Sequence, residues 1–228
     1  MSESLNQLLA DLHAERVRSW DPAPLNVNIE QRQRLVDEAP RRRFVQAGDT
    51  LNPFTLLDVE GGELHLDHLV SQGPAVLVFF RFAGCPACNI AIPYYERNLQ
   101  PQLLARGVPL VAVSPQVPER LIEIKHKHGL TLHVASDPNN DLGRRLGILY
   151  QFDEASRQAA QAKGSSIGAT TGTGTWELPQ PTVLVIGRDR RVHFASVSPD
   201  WLVRTEAQPI LDAVDALLVQ PLPNRATA

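Results

Sequence analysis

Cysteine is nearly missing from this chain: its 228 residues hold two, three apart in Phe82-Ala83-Gly84-Cys85-Pro86-Ala87-Cys88-Asn89-Ile90. A bridge between them would be a poor staple, because it closes a loop of only a few residues and gains little loop entropy. A structural zinc site would need a second ligand pair at matching spacing. His65 and His68 lie upstream of the strand that leads to the cysteines and match no known spacing, so neither metal nor cofactor is expected. An excess of charge is lacking too. The formal net charge of -3 gives no pull toward nucleic acid or an anionic membrane, and the one dense basic run, Arg41-Arg42-Arg43, reads as a solvated helix end. No apolar run approaches membrane-spanning length. Met1-Ser2-Glu3-Ser4 is not the basic start and apolar stretch of a secretory signal. The expectation is a cytoplasmic chain, in a compartment where a Cys-x-x-Cys pair cycles rather than persisting as a disulfide.

What is present suits a globular protein with a true core: 43% hydrophobic and 21% charged residues. Leu5, Leu8, Leu9, Leu12 and Val17 recur at helical spacing, and Trp20-Asp21-Pro22-Ala23-Pro24 breaks that helix. A second helix is expected from about Ile29 to Phe44. Residues 1–45 therefore read as a helical extension without chemistry of its own. It packs either on the main domain or on a second copy, which would make a homodimer. Residues 46–220 read as the main domain and 221–228 as a tail.

Within that domain, Phe54 to Val59 and Glu63 to Leu66 read as short strands around a Glu60-Gly61-Gly62 turn. Ala75 to Arg81 is a near-continuous apolar run, as in a strand buried on both faces. Then follow a helix from Pro86, a strand at Val108 to Val113, a helix at Pro118 to His128, a strand at Leu132 to Ala135 and a helix at Asn140 to Ile148. Gly164 to Gly174 reads as a flexible loop. Two strands, Thr182 to Ile186 and Val192 to Ser196, precede a last helix that Thr205 and Gln208 would open as a capping box. This order gives a three-layer α/β domain with right-handed crossovers.

The cysteines sit where a strand turns into a helix. If Cys85 caps that helix and Pro86 takes its first position, both sulfurs approach unpaired N–H groups and the positive end of the helix dipole. A cysteine with pKa of about 8.5 is about 3% thiolate at pH 7, whereas one of about 6 at a helix N-terminus is about 90% thiolate. Arg81 reads either as added positive potential or as a surface cap on the strand.

Cys85-Pro86-Ala87-Cys88 with Pro93 five residues on resembles the thioredoxin-superfamily active site, and Pro181 resembles the family's cis-proline. In cis it would leave a backbone edge free beside the sulfurs for a partner's extended chain; a trans proline opening a strand is the alternative. The wider sequence is similar to the peroxiredoxin-like branch of the alkyl hydroperoxide reductase/thiol-specific antioxidant group. Phe79 through Asn89, Ser136-Asp137-Pro138-Asn139-Asn140, Trp176-Glu177-Leu178-Pro179 and Val185 through Asp189 carry the likeness, which runs over about 45–220. It implies a thioredoxin-like fold, with a mixed central sheet flanked by helices, and an N-terminal helical extension. Peroxiredoxins carry Pro-x-x-x-Thr-x-x-Cys. Here Cys88 falls on the peroxide-attacking cysteine, Cys85 on the threonine and Arg81 on the proline. The family's distant activating arginine would lie near Gln180, which is no cation, and the buried acid of thioredoxins is replaced by Phe79.

The resemblance implies a thiol-dependent peroxidase. Cys88 would attack hydrogen peroxide or an organic hydroperoxide, Cys85 would resolve the product, and a thioredoxin- or glutathione-type reductant would close the cycle. A thiol–disulfide oxidoreductase, with Cys85 attacking protein disulfides, and a redox-sensing module without turnover are the alternatives. Pro86, Pro93, Pro181, Gln180, Arg81 and Trp176 are the expected supporting residues, Trp176 as a wall of the site or as packing. Tyr94 and Tyr95 are expected to pack the active-site helix. Lys125-His126-Lys127-His128 reads as an exposed helix end.

Overall fold

The computed structural model describes residues 3–219, so the expected tail at 221–228 lies outside the described residues. In chain order the elements are α1 (Leu5–Ser19), α2 (Pro22–Glu38), β1 (Thr55–Asp58), β2 (Glu63–His65), α3 (Leu66–Leu69), β3 (Ala75–Phe79), α4 (Cys88–Asn98) and α5 (Gln100–Ala105). There follow β4 (Leu110–Ser114), α6 (Pro118–His128), β5 (His133–Ser136), α7 (Asp141–Arg145), β6 (Leu149–Gln151), α8 (Glu154–Ala162) and α9 (Ile167–Thr171). The chain continues through β7 (Glu177–Pro179), β8 (Thr182–Ile186), β9 (Val192–Val197) and α10 (Ala207–Leu218). Among the described residues no helix is long and apolar enough to cross a membrane.

A mixed sheet of order β2-β1-β5-β4-β3-β8-β9 forms the middle layer. Strand β3 pairs in parallel with β4 and antiparallel with β8, which makes it the pivot between the two halves. All five of its residues are buried. Its period-two alternation divides the interior, as side chains of a strand must point to opposite faces. Val76 and Val78, with Phe80 beyond the strand end, join one core; Ala75, Leu77 and Phe79 join the other. The first core is closed by α4, α6 and α10 through Ile92, Tyr95, Ile124 and Ile210, and it contains both cysteines. The second is closed by Leu66, Leu142, Ile148 and Val45. The expected three-layer α/β arrangement is present.

The extension docks on the cysteine-bearing side of its own chain. Leu5 and Leu9 of α1 are fully buried in the first core, each worth about 1.5–3 kcal/mol of apolar transfer, whereas Val17 is exposed. Glu206, just ahead of α10, accepts hydrogen bonds from the backbone N–H groups of Leu5 and Asn6 and from the hydroxyls of Ser4 and Tyr94. A carboxylate at the positive end of α1 gains from the dipole as well. Burial raises its pKa, but these donors outweigh burial and bring it down to about 2.

Several expectations about elements are corrected. Helix α2 starts at Pro22 rather than near Ile29, because prolines in a first turn lose no hydrogen bond. The expected loop at Gly164 to Gly174 contains α9, capped by Ser166 and anchored by buried Thr171; small residues here serve close packing rather than flexibility. A Cβ on Gly168 would lie 2.5 Å from the Gly174 carbonyl carbon and 2.6 Å from the Thr175 nitrogen. The helix expected through Ile148 stops at Arg145, where Gly147 at φ +73 brings the backbone against Arg43. The capping box does not form: Thr205 donates to the Ser196 hydroxyl, and Glu206 takes the N-cap position with its side chain turned to α1. The β6–β7 pair and α8, a short helix whose N-cap Asp153 accepts from the Ser156 N–H, were not among the expected elements.

Two stability outcomes are expected. Gly168→Ala lowers the unfolding free energy by about 1–3 kcal/mol through overpacking, whereas Gly73→Ala, whose methyl meets nothing within 4 Å, changes it by less than about 0.5 kcal/mol; chemical denaturation of the two variants measures both. Because the folded-state pKa of Glu206 is depressed from 4.5 to about 2, its contribution is complete above its ordinary range and is lost as pH falls from 4.5 toward 2. Acid titration of thermal stability should show Glu206→Gln losing less than the parent over that window.

Candidate thiol site

The turn that carries the cysteines is fixed by hydrogen bonds from three directions. Beyond β3 the chain stays paired once more, Phe80 N–H to Val113 carbonyl, and Ser114 Oγ then donates to the Arg81 carbonyl. The Ala83 N–H donates to Gln116 Oε1 at 2.8 Å. Asn89 Nδ2 donates back to the carbonyls of Ala83 and Cys85, while its Oδ1 accepts from Lys127 Nζ at 3.1 Å and pairs with His128 Nε2 at 2.8 Å. The cluster expected as an exposed helix end therefore braces the turn. Lys125 of the same cluster is buried and bonds the Leu132 carbonyl.

Helix α4 begins at Cys88 rather than Pro86. The Cys85 carbonyl accepts from the N–H groups of both Cys88 and Asn89, so Cys85 to Ala87 form a lead-in turn with Pro86 exposed at its tip. The expectation that Cys85 caps the helix with Pro86 at the first position is corrected. Only Cys88 stands at the helix start, where the dipole acts most strongly. Pro93 is buried inside α4.

Two guanidinium groups flank the sulfurs. Arg81 is buried, with Nη1 3.9 Å from Cys85 Sγ and its guanidinium carbon 4.4 Å from the Trp201 ring centroid. Its reading as a surface cap falls. The second is Arg204, also buried, with Nη2 3.5 Å from Cys88 Sγ and Nε donating to the Trp201 carbonyl at 3.0 Å. Both cysteines are free, at 1% and 0% exposure for Cys85 and Cys88. Burial pushes the Cys88 thiol up, but the hydrogen bond from the Cys85 thiol, the bond and charge of Arg204 and the charge of Arg81 bring it well below the usual thiol range. Cys85 moves the other way: it donates to Cys88, is buried, and faces the negative charge of its neighbour.

The remaining expected residues fall around this pair unevenly. Gln180 is fully buried, and neither polar atom of its carboxamide has a hydrogen-bond partner. No cation stands there; Arg204 supplies one from the segment before α10. The Gln180–Pro181 bond is trans, as are all peptide bonds among the described residues, so the cis expectation is corrected. The chain runs extended through these two residues from β7 into β8, held by Gln180 N–H to Ile148 and Ser198 N–H to the Pro181 carbonyl. Pro181 lines a small cavity with Tyr95 and Arg204. Trp176 packs on Phe152, ring centroids 5.8 Å apart, and Phe152 in turn lies under Arg81. Tyr94 and Tyr95 do pack α4, with hydroxyls bonded to Glu206 and the Thr205 carbonyl.

Arg204, Trp201, Tyr150 and Asn89 were not among the residues expected to act. Arg204 lies 116 residues after Cys88 on a segment without regular structure, and nothing in the sequence marks it out. The extension, expected to carry no chemistry, reaches the site too: Asn6 holds the Arg204 backbone, and Arg16 is buried close enough to Cys85 and Arg81 to feel their charges. Among the described residues no three His, Cys, Asp or Glu side chains are grouped to hold a metal.

The profile of the AhpC/TSA family matches residues 47–195. A putative peroxiredoxin of Mycobacterium tuberculosis is 32% identical over 96 residues, 42% of this chain and 59% of that protein. Peroxiredoxin Bcp of Escherichia coli is 29% identical over 105 residues, 46% of this chain and 65% of that protein. The matched segment spans less than two thirds of either relative. The crystal structure of peroxidoxin BcpB from Mycobacterium tuberculosis superposes with a TM-score of 0.58 at 20% identity, covering 76% of this chain and 98% of that one. That likeness is one of fold, and the fold is thioredoxin-like.

The asymmetry between the sulfurs has a direct readout. Limited alkylation at mildly acidic pH, followed by peptide mass spectrometry, should label Cys88 ahead of Cys85. Replacing Arg204 by Met should raise the pH midpoint of Cys88 labelling by about 1–3 units, the usual effect of an adjacent opposite charge.

Proposed function

The chain belongs to the AhpC/TSA family, and on that premise we propose that it is a thiol-dependent peroxidase whose attacking sulfur is Cys88. The observation that carries the assignment is the Arg204 guanidinium 3.5 Å from Cys88 Sγ, closer than the 3.9 Å between Arg81 Nη1 and Cys85 Sγ, with the Cys85 thiol itself donating to Cys88. In the proposed cycle the Cys88 thiolate attacks one oxygen of hydrogen peroxide or an alkyl hydroperoxide. An S–O bond forms as the O–O bond breaks. The leaving hydroxide or alkoxide takes up a proton, and Cys88 becomes a sulfenic acid. Arg81 and Arg204 oppose the charge developing on the oxygens. Arg81 Nε and the Tyr150 hydroxyl, both buried and without a partner, are further polar groups suited to an oxygen-rich substrate.

Cys85 then attacks the Cys88 sulfur: an S–S bond forms and water leaves. A thioredoxin-type dithiol, or two glutathione-type monothiols in succession, restores both thiols by exchange and leaves as the disulfide. The reducing cytoplasm suits that last step. Residues 46–220 form the catalytic unit of this proposal, with 1–45 as an extension laid over it. Burial of both sulfurs favours a small peroxide over an extended protein strand as oxidant. Cys85-Pro86-Ala87-Cys88 with Pro93 still supports the second reading, a thiol–disulfide oxidoreductase in which Cys85 attacks.

Cys88→Ser should abolish peroxide consumption, and Cys85→Ser should leave Cys88 carrying one added oxygen after a single exposure to peroxide, seen by mass spectrometry. Full turnover by Cys88→Ser would sink the assignment. Insulin reduction by the parent protein without peroxide turnover would hand it to the second reading, and inactivity in both assays to a redox-sensing module.

A further inference from the structure

Arg204 sits on the irregular segment between β9 and α10, where no strand ladder or helix holds its backbone. Its main-chain groups find a partner in one side chain of the extension instead. Asn6 Oδ1 accepts from the Arg204 N–H at 2.8 Å, and Asn6 Nδ2 donates to the Arg204 carbonyl at 2.8 Å. A carboxamide that pairs with both groups of one residue reproduces what a neighbouring strand would do, and it fixes where that residue's side chain starts. Asn6 is itself held, since its N–H and its Nδ2 both donate to Glu206 Oε1 at 2.9 Å. From this anchor the Arg204 side chain runs inward, is braced by the Trp201 carbonyl, and ends against Cys88 Sγ.

We infer that Asn6 of the N-terminal extension is a positioning residue of the thiol site: its carboxamide clamps the Arg204 backbone and thereby sets the guanidinium against the Cys88 sulfur. The extension is then part of the reactive site rather than a cover for the domain. This inference rests on the reading of Cys88 as the reactive sulfur, and it concerns how that sulfur is held ionised, whatever substrate it meets. The charged and titratable groups that face Cys88 are Cys85 from the lead-in turn, Arg81 from the end of β3, Arg204 from the segment before α10 and Tyr150 from β6, with Arg16 of α1 close to Cys85 and Arg81. Arg204 faces Tyr95 of α4 as well, and Asp200 and Glu206 are the carboxylates of its own segment. Asn6 adds no charge to this set. It can act on the sulfur only through where Arg204 stands.

The test is the pH midpoint of thiolate formation, read from ultraviolet absorbance in the full-length Cys85→Ser protein, where Cys88 is the sole thiol and the serine still offers a hydroxyl donor. Titration above pH 5 avoids protonating Glu206. Asn6→Ala should raise the midpoint by about half a unit to one unit, one unit being a tenfold change in thiolate ratio. Arg204→Met should raise it further. The double variant should match Arg204→Met alone, because a residue that acts through another adds nothing once that partner is gone. Two controls separate positioning from loosening of α1. Glu3→Ala removes the ties to Arg97 and Asn98, and Gln7→Ala removes an exposed bond to Asp11; both should keep the parent midpoint. An unshifted midpoint in Asn6→Ala, an equal shift in Glu3→Ala, or additive shifts in the double variant would each overturn the inference. Because no peroxide enters this measurement, a failed peroxidase assay leaves its outcome untouched.

Discussion

A guanidinium held against a sulfur, both withdrawn from solvent, is the interaction on which the rest of this molecule depends. Burying Arg204 and Arg81 is costly, since a buried cation must recover its hydration from fixed partners. The partners are the Trp201 carbonyl, the faces of Trp201, Phe152 and Phe82, and the sulfurs themselves. A thiolate at Cys88 would relieve the two cations and be relieved by them, the direction in which their charges move its pKa. Without the thiolate the pocket holds uncompensated positive charge, and without the cations a buried thiol would keep its proton. The low dielectric that makes each group expensive alone makes their attraction strong together.

The surrounding architecture exists to keep this geometry. Strand β3, buried on both faces, delivers Arg81 and the cysteine turn at a fixed height above the sheet, and Gln116 and Asn89 hold the turn against the ends of neighbouring elements. In the final segment before α10, Thr205 is tied to Tyr95 and Ser196, but the backbone of Arg204 has no such partner in the main domain. It borrows one from α1 through Asn6 and Glu206. The same carboxylate that satisfies the first N–H groups of α1 thus ties the start of the chain to the residue that faces Cys88. Local stability and site geometry are coupled at that point.

How much of this was legible differs by the physical origin of each feature. The strands β3, β4 and β8 stood out because burial on both faces demands an unbroken apolar run, and α6 because its apolar residues repeat with the helical period. The α9 segment was misread as a loop because its glycines and threonines look like flexible composition. Gly168 in fact occupies a contact too close for any Cβ. The capping box at Thr205 failed because the Thr205 hydroxyl goes to Ser196 on β9 and the N-cap position passes to Glu206, whose carboxylate serves α1; a local pattern registers neither competitor. Arg81 was found because it lies beside the cysteines in sequence. Gln180 drew attention only as the place where a cation was missing.

The sequence by itself determined the family: the stretches around Cys85 and Cys88, at 136–140 and at 176–179, carry the AhpC/TSA likeness, and two cysteines three apart at the mouth of a buried strand mark the candidate thiol site. That information is local, and local spacing survives in one dimension. Which sulfur the Arg204 guanidinium faces was decided only by tertiary structure. Arg204 comes to Cys88 across 116 residues, and Asn6 comes to Arg204 across 198. Electrostatic preference depends on distance in space. Folding alone closes a separation of that length to the few ångströms at which a guanidinium can choose between two thiols.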